Sequence, residues 1–469
     1  MTTFSTIEPA TGEVLATYES FTPAQLDAAL GSAYDAFSAW AATPLADRLD
    51  LLRRVGKELT AQRSELALLA TREMGKPLAE ALGEIDKCAW NMEVVAEHAP
   101  GWLADHEVPS AATRSWLSYE PLGVVFAVMP WNFPFWQVLR FAGAALSAGN
   151  AALLKHSPNV TGCALAIERV FRDAGAPAGL FTTVVLAEEV VPEVVPGIIA
   201  DPRIAAVTLT GSERAGAAVG AAAGGALKKS VLELGGSDPF VVLDDADLPA
   251  AADAAVRSRF GNAGQSCIAA KRFIVLDAVA DEFARLVSER VGLLQVGDPR
   301  AEGTTVGPMA RADLRDGVHR QVRSSVREGA TLVTGGHPID ADGFFYAPTI
   351  LDHVVRGMSV FTEEVFGPVA VIVRAHDDDH AVELANDTDY GLGAAVWSGS
   401  GRGLAVGRRI RSGALFVNAV VASDPRLPFG GIGRSGYGRE LSAEGTREFT
   451  NVRTIFVGDG AAALPMVTE

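Results

Sequence analysis

Across 469 residues the chain is 48% hydrophobic and 21% charged, an ordinary globular composition with material for two cores, and its 48 glycines and 24 prolines follow no period that would make a fibre or a repeat array. A formal net charge of −17 excludes the phosphate-neutralising surface that nucleic-acid binding requires, and obliges any anionic substrate to be caught by a locally placed cation. The three cysteines, Cys88, Cys163 and Cys267, lie far apart with neither a CxxC pair nor a zinc-ligand spacing, which points to a reducing cytoplasm and no metal site.

The N-terminus has no basic start and no apolar stretch of signal-peptide length. From about Pro23 to Leu103 the pattern is helical. Gln25 to Trp40 places apolar residues at three- and four-residue spacing, with Thr22 as a cap and Pro23 in the first turn, and similar segments follow over Leu45–Leu59 and Arg63–Glu73. The long uncharged run from Pro121 to Leu139 is interrupted by Pro130, Asn132, Pro134 and Gln137, so it reads as a buried strand leading into a loop and not as a membrane span.

Short apolar runs then alternate with helical stretches: Gly123–Met129 before Val138–Ala148, Ala151–Leu154 before Gly162–Ala174, and Ala206–Thr210 before Ser212–Ala223. Alternation of this kind builds a parallel sheet with helices on both faces, which binds ligands at the carboxyl ends of its strands. Pro130-Trp-Asn-Phe-Pro134, Lys155-His-Ser-Pro158 and Gly211-Ser212 fall directly after those three strands. A second unit begins near Pro239, carries strand-like Phe273–Leu276 and a helical Asp281–Gly292, and runs to about Pro425; a C-terminal segment, Thr454–Val457, has strand character.

Chemistry concentrates at two points. Cys267 lies in Gly261-Asn-Ala-Gly-Gln-Ser-Cys267, small and polar flanks that make a tight turn rather than a core segment, and Glu233 lies upstream in Val231-Leu-Glu233-Leu-Gly-Gly236. A thiolate nucleophile with a carboxylate that can deprotonate water suggests covalent acyl chemistry. Asn132, held between Trp131 and Phe133, carries an amide suited to an oxyanion, although such an Asn also simply completes turns. Gly431-Ile-Gly433-Arg-Ser-Gly436 matches the dinucleotide fingerprint in letters, but Pro428-Phe-Gly precedes it and Tyr-Gly-Arg follows, so a mobile turn is the better reading. Thr210-Gly-Ser212 at a strand-to-helix junction is the better phosphate site, or else a plain helix cap. Lys155 is placed for a ribose or phosphate, with His156 as a further donor. At Pro158 there is no carboxylate to hold a ribose diol and repel a 2′-phosphate.

With these blocks assembled, together with Glu363-Glu-Val-Phe-Gly-Pro368 and Pro428-Phe-Gly-Gly431, the chain resembles the aldehyde dehydrogenase superfamily from about Ile7 to Phe456. Leu154-Lys-His-Ser-Pro-Asn159, Glu233-Leu-Gly-Gly-Ser-Asp-Pro-Phe240 and Ala269-Ala-Lys-Arg-Phe273 are similar to the bacterial succinate-semialdehyde dehydrogenases that use NADP or both nicotinamide cofactors. The resemblance implies an α/β subunit in three parts: a Rossmann-type cofactor domain over 1–105 and 122–235, an α/β catalytic domain over 236–443, and a small β-extension, 106–121 with 444–457, that pairs subunits into dimers or tetramers. It implies that Cys267 is the nucleophile, Glu233 the general base, and Asn132 with the Cys267 backbone N–H the oxyanion hole. Trp131, Asn132, Lys155, His156, Ser157, Pro158, Gly211, Ser212, Leu234, Glu364 and Phe366 would meet NADP, with NAD also accepted.

Arg140 stands where related enzymes carry a carboxylate-binding arginine, and is the sole charge between Glu120 and Lys155. A second arginine that some of them place six residues before the cysteine is Gly261 here, so Ser423 and Arg426 are the candidates to complete the pocket. The expected reaction is oxidation of succinate semialdehyde to succinate. Another short aldehyde such as glutarate semialdehyde, or an inactive binding protein on the same fold, are the competing readings; Glu233 speaks against a CoA-acylating enzyme.

Overall fold

The computed structural model describes residues 2–458 and 460. Thr22 caps the helix Pro23–Ala41 through a reciprocal box, its hydroxyl accepting from the Gln25 N–H at 3.3 Å while Gln25 Oε1 accepts from the Thr22 N–H at 2.8 Å. Helices Leu45–Ala61 and Arg63–Met74 follow, the latter closed by Gly75 at φ +88. The long helix Leu78–Trp102 then brings Glu80, Glu84 and Lys87 towards the centre of the molecule. A short antiparallel hairpin, Thr3–Ile7 with Val14–Glu19, precedes all of these and was not expected from the sequence.

Two sheets organise the rest. The first runs in the order Gly436–Tyr437, Lys229–Glu233, Ile204–Thr210, Val124–Met129, Ala151–His156, Phe181–Thr183. All its pairings are parallel except that of Gly436–Tyr437 with Leu232–Glu233. Strand order reverses between Val124–Met129 and Ile204–Thr210, and a crevice opens at the carboxyl ends of strands at such a switch point. The second sheet has seven strands in the order Thr331–Thr334, Thr349–Asp352, Val369–Ala375, Arg272–Leu276, Pro239–Val242, Gly393–Trp397, Ala414–Val417, parallel except at the first pair. Its central strands are apolar on both faces: Val241, Ile274 and Val371 pack in one cluster, and Phe240, Phe273 and Ile372 in the other.

The two sheets meet end to end. The loops after Met129, Thr210 and Glu233 leave the carboxyl ends of the first sheet, while those before Pro239, Arg272 and Val369 enter the amino ends of the second. Residues from both sets line one cavity. A separate three-stranded sheet joins His106–Glu107, Arg114–Pro121 and Thr450–Val457, the last two paired antiparallel from Arg114↔Val457 to Pro121↔Thr450. Val452 and Phe456 are exposed on it.

The GxGxxG look-alike neither follows a parallel strand nor opens an α-helix. It is not a free turn either, which corrects the expectation of mobility. Gly433–Ser435 makes one tight turn, the Ser435 carbonyl accepts from the Leu234 N–H at 3.0 Å and its hydroxyl donates to the Gly235 carbonyl at 2.7 Å. The segment is thereby stitched to the strand end that carries Glu233. No helix among the described residues is long and apolar enough to cross a membrane.

Candidate active site

The helix Leu248–Phe260 ends in a turn with three successive residues in left-handed backbone: Asn262 at φ 53, Ala263 at φ 51 and Gly264 at φ +72. Such backbone is costly for residues with a Cβ and persists only where the surroundings over-determine it. Here they do. Arg259, wholly buried, donates to the carbonyls of Gly264 and Val365 at 3.0 and 3.1 Å and also to that of Gly367. Glu80 accepts from the Asn262 N–H at 2.8 Å, and burial pulls this carboxyl up to about 7 against the charge of Lys76. The Asn262 amide donates to the Asn132 carbonyl at 2.8 Å, and Lys271 Nζ donates to the carbonyls of Ser266 and Cys267 at 3.0 and 2.6 Å.

Cys267, held by this turn, lines two cavities at once. One, of about 420 Å³, is walled by Trp136, Arg140, Ile268, Val420 and Phe429. The other, of about 230 Å³, is walled by Trp131, Gly211, Ser212, Leu234, Glu364 and Phe366. Apart from Cys267, only Gln137 lines both. Its amide donates to Asn132 Oδ1 at 3.1 Å, and Asn132 Nδ2 donates to the Gln265 carbonyl at 3.0 Å, so the Asn132 amide is fixed beside the nucleophile loop with its second N–H uncommitted. Burial pushes the Cys267 thiol up to about 12; the positive charges of Lys271 and Arg140 oppose this, and the negative charges of Glu364 and Asp238 add to it.

The chain matches the model of the aldehyde dehydrogenase family over residues 1–455. It belongs to that family. It is 45% identical over 454 residues to a probable NADP-dependent succinate-semialdehyde dehydrogenase of Synechocystis, covering 97% of this chain and 99% of that one. It is 46% identical over 451 residues to the NAD(P)-dependent succinate semialdehyde dehydrogenase of Escherichia coli K12, covering 96% and 97%. A crystal structure of succinic semialdehyde dehydrogenase from Streptococcus pyogenes in complex with NADP+ superposes with a TM-score of 0.94 at 37% identity, covering 97% of this chain and all of that one. These neighbours also establish the aldehyde dehydrogenase fold for the architecture described above.

Of the residues expected to meet a dinucleotide, Trp131, Asn132, Gly211, Ser212, Leu234, Glu364 and Phe366 share the smaller cavity. The smaller cavity sits at the topological switch point, and Ser212 caps the helix Glu213–Gly225, whose first N–H groups face outward at that strand end. Trp131 and Phe366 meet edge to face at 5.8 Å, and Glu364 accepts from the Gly236 N–H at 3.1 Å. Lys155, at the carboxyl end of the adjoining strand, is a buried ammonium with no ion-pair partner among the described residues, and burial lowers its pKa against the pull of Glu188. Its neighbours differ from expectation. His156 uses both ring nitrogens on backbone, one within 2.9 Å of the Pro134 carbonyl and the other accepting from the Ser157 N–H at 2.9 Å, so it has no donor for a ribose. Ser157 turns its hydroxyl to Asn159 at 2.7 Å, and Pro158 only opens the short turn Pro158–Val160.

Glu233 does not line either cavity that Cys267 shares. Its carboxylate is buried with no hydrogen-bond partner among the described residues, and lies beside Gly430, where any Cβ would come within 2.6 Å of Oε1. Burial and the neighbouring Glu440 charge push its pKa well above the carboxylate range, Arg140 and Arg439 opposing. Arg140 is ion-paired with Glu440, both side chains almost fully buried, and lies 4.7 Å over the Phe429 ring. This revises the expectation for Arg140: it lines the larger cavity, but a carboxylate of the protein already meets its charge. Arg426 is corrected outright. It is exposed, paired with Asp424 and 5.4 Å over Trp90, outside the cavity. Ser423 does line the cavity and accepts from Lys87 Nζ at 2.7 Å.

Two outcomes follow from these environments. With its neutral form favoured, alkylation of Cys267 by iodoacetamide in the cofactor-free protein should keep accelerating up to pH 10; a plateau near pH 8 would refute the burial argument. Arg140→Leu strands Glu440 beside Glu233 without its ion-pair partner, so chemical denaturation should register a loss of about 3–5 kcal/mol. Carboxylated and neutral aldehydes should then suffer alike, and an unaltered unfolding midpoint would refute the structural role.

Proposed function

We propose that this protein oxidises succinate semialdehyde to succinate with NADP as preferred acceptor, NAD being taken less well. The observation that carries the proposal is the position of Cys267, the one thiol shared by a dinucleotide-type cavity and a cation-bearing cavity. Relatives matched end to end supply the substrate class.

The residues divide the work as follows. Cys267 Sγ gives its proton to solvent water and adds to the aldehyde carbon, and the Asn132 side-chain N–H with the Cys267 backbone N–H holds the oxygen that becomes negative. When bound across Trp131, Lys155, Gly211, Ser212, Leu234, Glu364 and Phe366, the nicotinamide cofactor supplies the two-electron acceptor. The carbon is then held on Sγ as a thioester. Glu233 swings from its seat beside Gly430 towards the cavity, where regained solvation lets it ionise, and takes a proton from the water that releases the acid.

In the same reading, 1–105 with 122–235 forms the cofactor domain and 236–443 the catalytic domain. The extension 106–121 with 444–457 offers Val452 and Phe456 as the surface on which subunits pair into dimers or tetramers. The free thiols of Cys88, Cys163 and Cys267 suit a reducing cytoplasm.

Initial rates at 340 nm with succinate semialdehyde, glutarate semialdehyde and butanal, each with NADP and NAD, test the assignment. The highest kcat/KM is expected for succinate semialdehyde with NADP, and a preference for butanal would refute it. Glu233→Gln should give a burst of about one NADPH per active subunit followed by near-arrest, because only deacylation needs the base. A missing burst would place Glu233 before hydride transfer.

A further inference from the structure

One buried cation of the site lines neither cavity. Lys271 stands four residues beyond the nucleophile, just before the strand Arg272–Leu276, and its side chain, 1% exposed, folds back over the loop that precedes it. Its backbone N–H donates to the Asp238 carbonyl at 3.1 Å, which fixes the residue where two adjoining strands of the second sheet begin. The ammonium donates to the carbonyls of Ser266 and Cys267, at 3.0 and 2.6 Å, and its third N–H is left for Glu364, whose Oε1 is 3.4 Å away. Glu364 and Asp238 face the ammonium from two other segments and supply the counter-charge that a buried cation needs. The Ser266 carbonyl and the Cys267 N–H are the two ends of one peptide group. The Ala269 N–H also donates to that carbonyl, at 3.2 Å, but it is neutral. A full charge on the carbonyl oxygen draws electron density towards it and makes the N–H at the far end a stronger donor, an effect that burial leaves unscreened.

We infer that Lys271 is a positioning residue for the oxyanion: it orients and polarises the Ser266–Cys267 peptide, so that the Cys267 N–H meets the charge that develops when the thiol adds to the aldehyde. The inference rests on the roles proposed above for Cys267 and Asn132. No bond to Lys271 forms or breaks. Asn132, the other donor, is held independently through Gln137 and the Gln265 carbonyl, so loss of Lys271 weakens one donor of the two. The charge exists only in the transition state and the adduct, and the loss therefore falls on rate rather than on binding. The ammonium also acts on the thiol through space. Burial raises the Cys267 pKa, Lys271 and Arg140 oppose the rise, and Glu364 and Asp238 add to it. The two effects separate by reagent: alkylation by iodoacetamide needs the thiolate and makes no oxyanion, whereas addition to an aldehyde needs both.

The test compares wild type, Lys271→Met, Lys271→Gln and Asn132→Ala, each first checked for NADP binding by quenching of tryptophan fluorescence. With enzyme in excess over succinate semialdehyde, the single-turnover rate of NADPH formation is followed at 340 nm. In parallel, alkylation of Cys267 by iodoacetamide is measured from pH 7 to 10 in the cofactor-free protein, by mass spectrometry. Asn132→Ala, which removes a donor outright, should slow NADPH formation by about 10²–10³-fold, and Lys271→Met by a smaller factor of about ten- to a hundredfold. The enzyme concentration for half-maximal rate should stay nearly the same in Lys271→Met, and alkylation at any pH should fall by a much smaller factor than NADPH formation. Lys271→Gln, which keeps a neutral N–H without the charge, should fall between Lys271→Met and wild type, and it carries the test if Lys271→Met does not bind NADP. Unchanged NADPH formation, equal losses in NADPH formation and alkylation, or loss of NADP binding in both Lys271 variants would overturn the Lys271 assignment alone. An Asn132→Ala enzyme as fast as wild type would overturn the oxyanion site on which the assignment rests.

Discussion

Left-handed backbone at Asn262, Ala263 and Gly264 is the constraint on which the site depends. Two of these residues carry a Cβ, and each costs about 1–2 kcal/mol in that conformation. The turn persists because Arg259 and Lys271 on either side of it, and Glu80 and Asn132 from distant parts of the chain, hold it. What the strain achieves is position. The thiol is presented where the carboxyl ends of one sheet face the amino ends of the other, and the two cavities open on opposite sides of it. Arg259 is a buried cation with no ion pair among the described residues, Lys271 is paired with Glu364 at 3.4 Å, and both direct N–H groups at loop carbonyls. The loop is thus held by ion–dipole contacts that leave Sγ untouched.

A second organising feature is the imbalance of charge behind the nucleophile. Glu233 and Glu440 both lie near the Arg140 guanidinium, which pairs with Glu440, and Arg439 adds its charge at Glu233. Two carboxylates cannot both ionise cheaply there, so burial and the Glu440 charge raise the pKa of Glu233. Glycine at 430 leaves the space in which the Glu233 carboxylate rests. The Glu233 carboxyl group is therefore held outside both cavities that Cys267 lines.

Much of this architecture was legible because it is local. Thr22 with Pro23 and Gln25 marks a helix start within four residues, and the parallel strands announce themselves as apolar runs followed by polar loops at Asn132, Lys155 and Ser212. Trp131, Leu234, Glu364 and Phe366 were placed by resemblance and share one cavity with Cys267. The hairpin Thr3–Ile7 with Val14–Glu19 was missed because its strands mix polar and apolar residues without a buried face. The charges that partner the site were missed for another reason. Lys87 reaches Ser423 across 336 positions, and Arg140 meets Glu440 only because the C-terminal chain returns over the first sheet. No spacing rule spans such distances. Arg140 shows the limit well: its isolation in an apolar stretch announced a buried partner, but could not say that the partner belongs to the protein.

That return of the chain has a consequence for how the molecule is made. The strand carrying Glu233 is an open edge until Gly436–Tyr437 pairs with it, and Gly430, Arg439 and Glu440, which surround its carboxyl group, come from the same late stretch. A ribosome that has released residues 1–430 has therefore released the first sheet with an unpaired edge and Glu233 without the charged groups that enclose it. The surroundings of Glu233 and the last edge of the sheet are completed together, by the final tenth of the polypeptide.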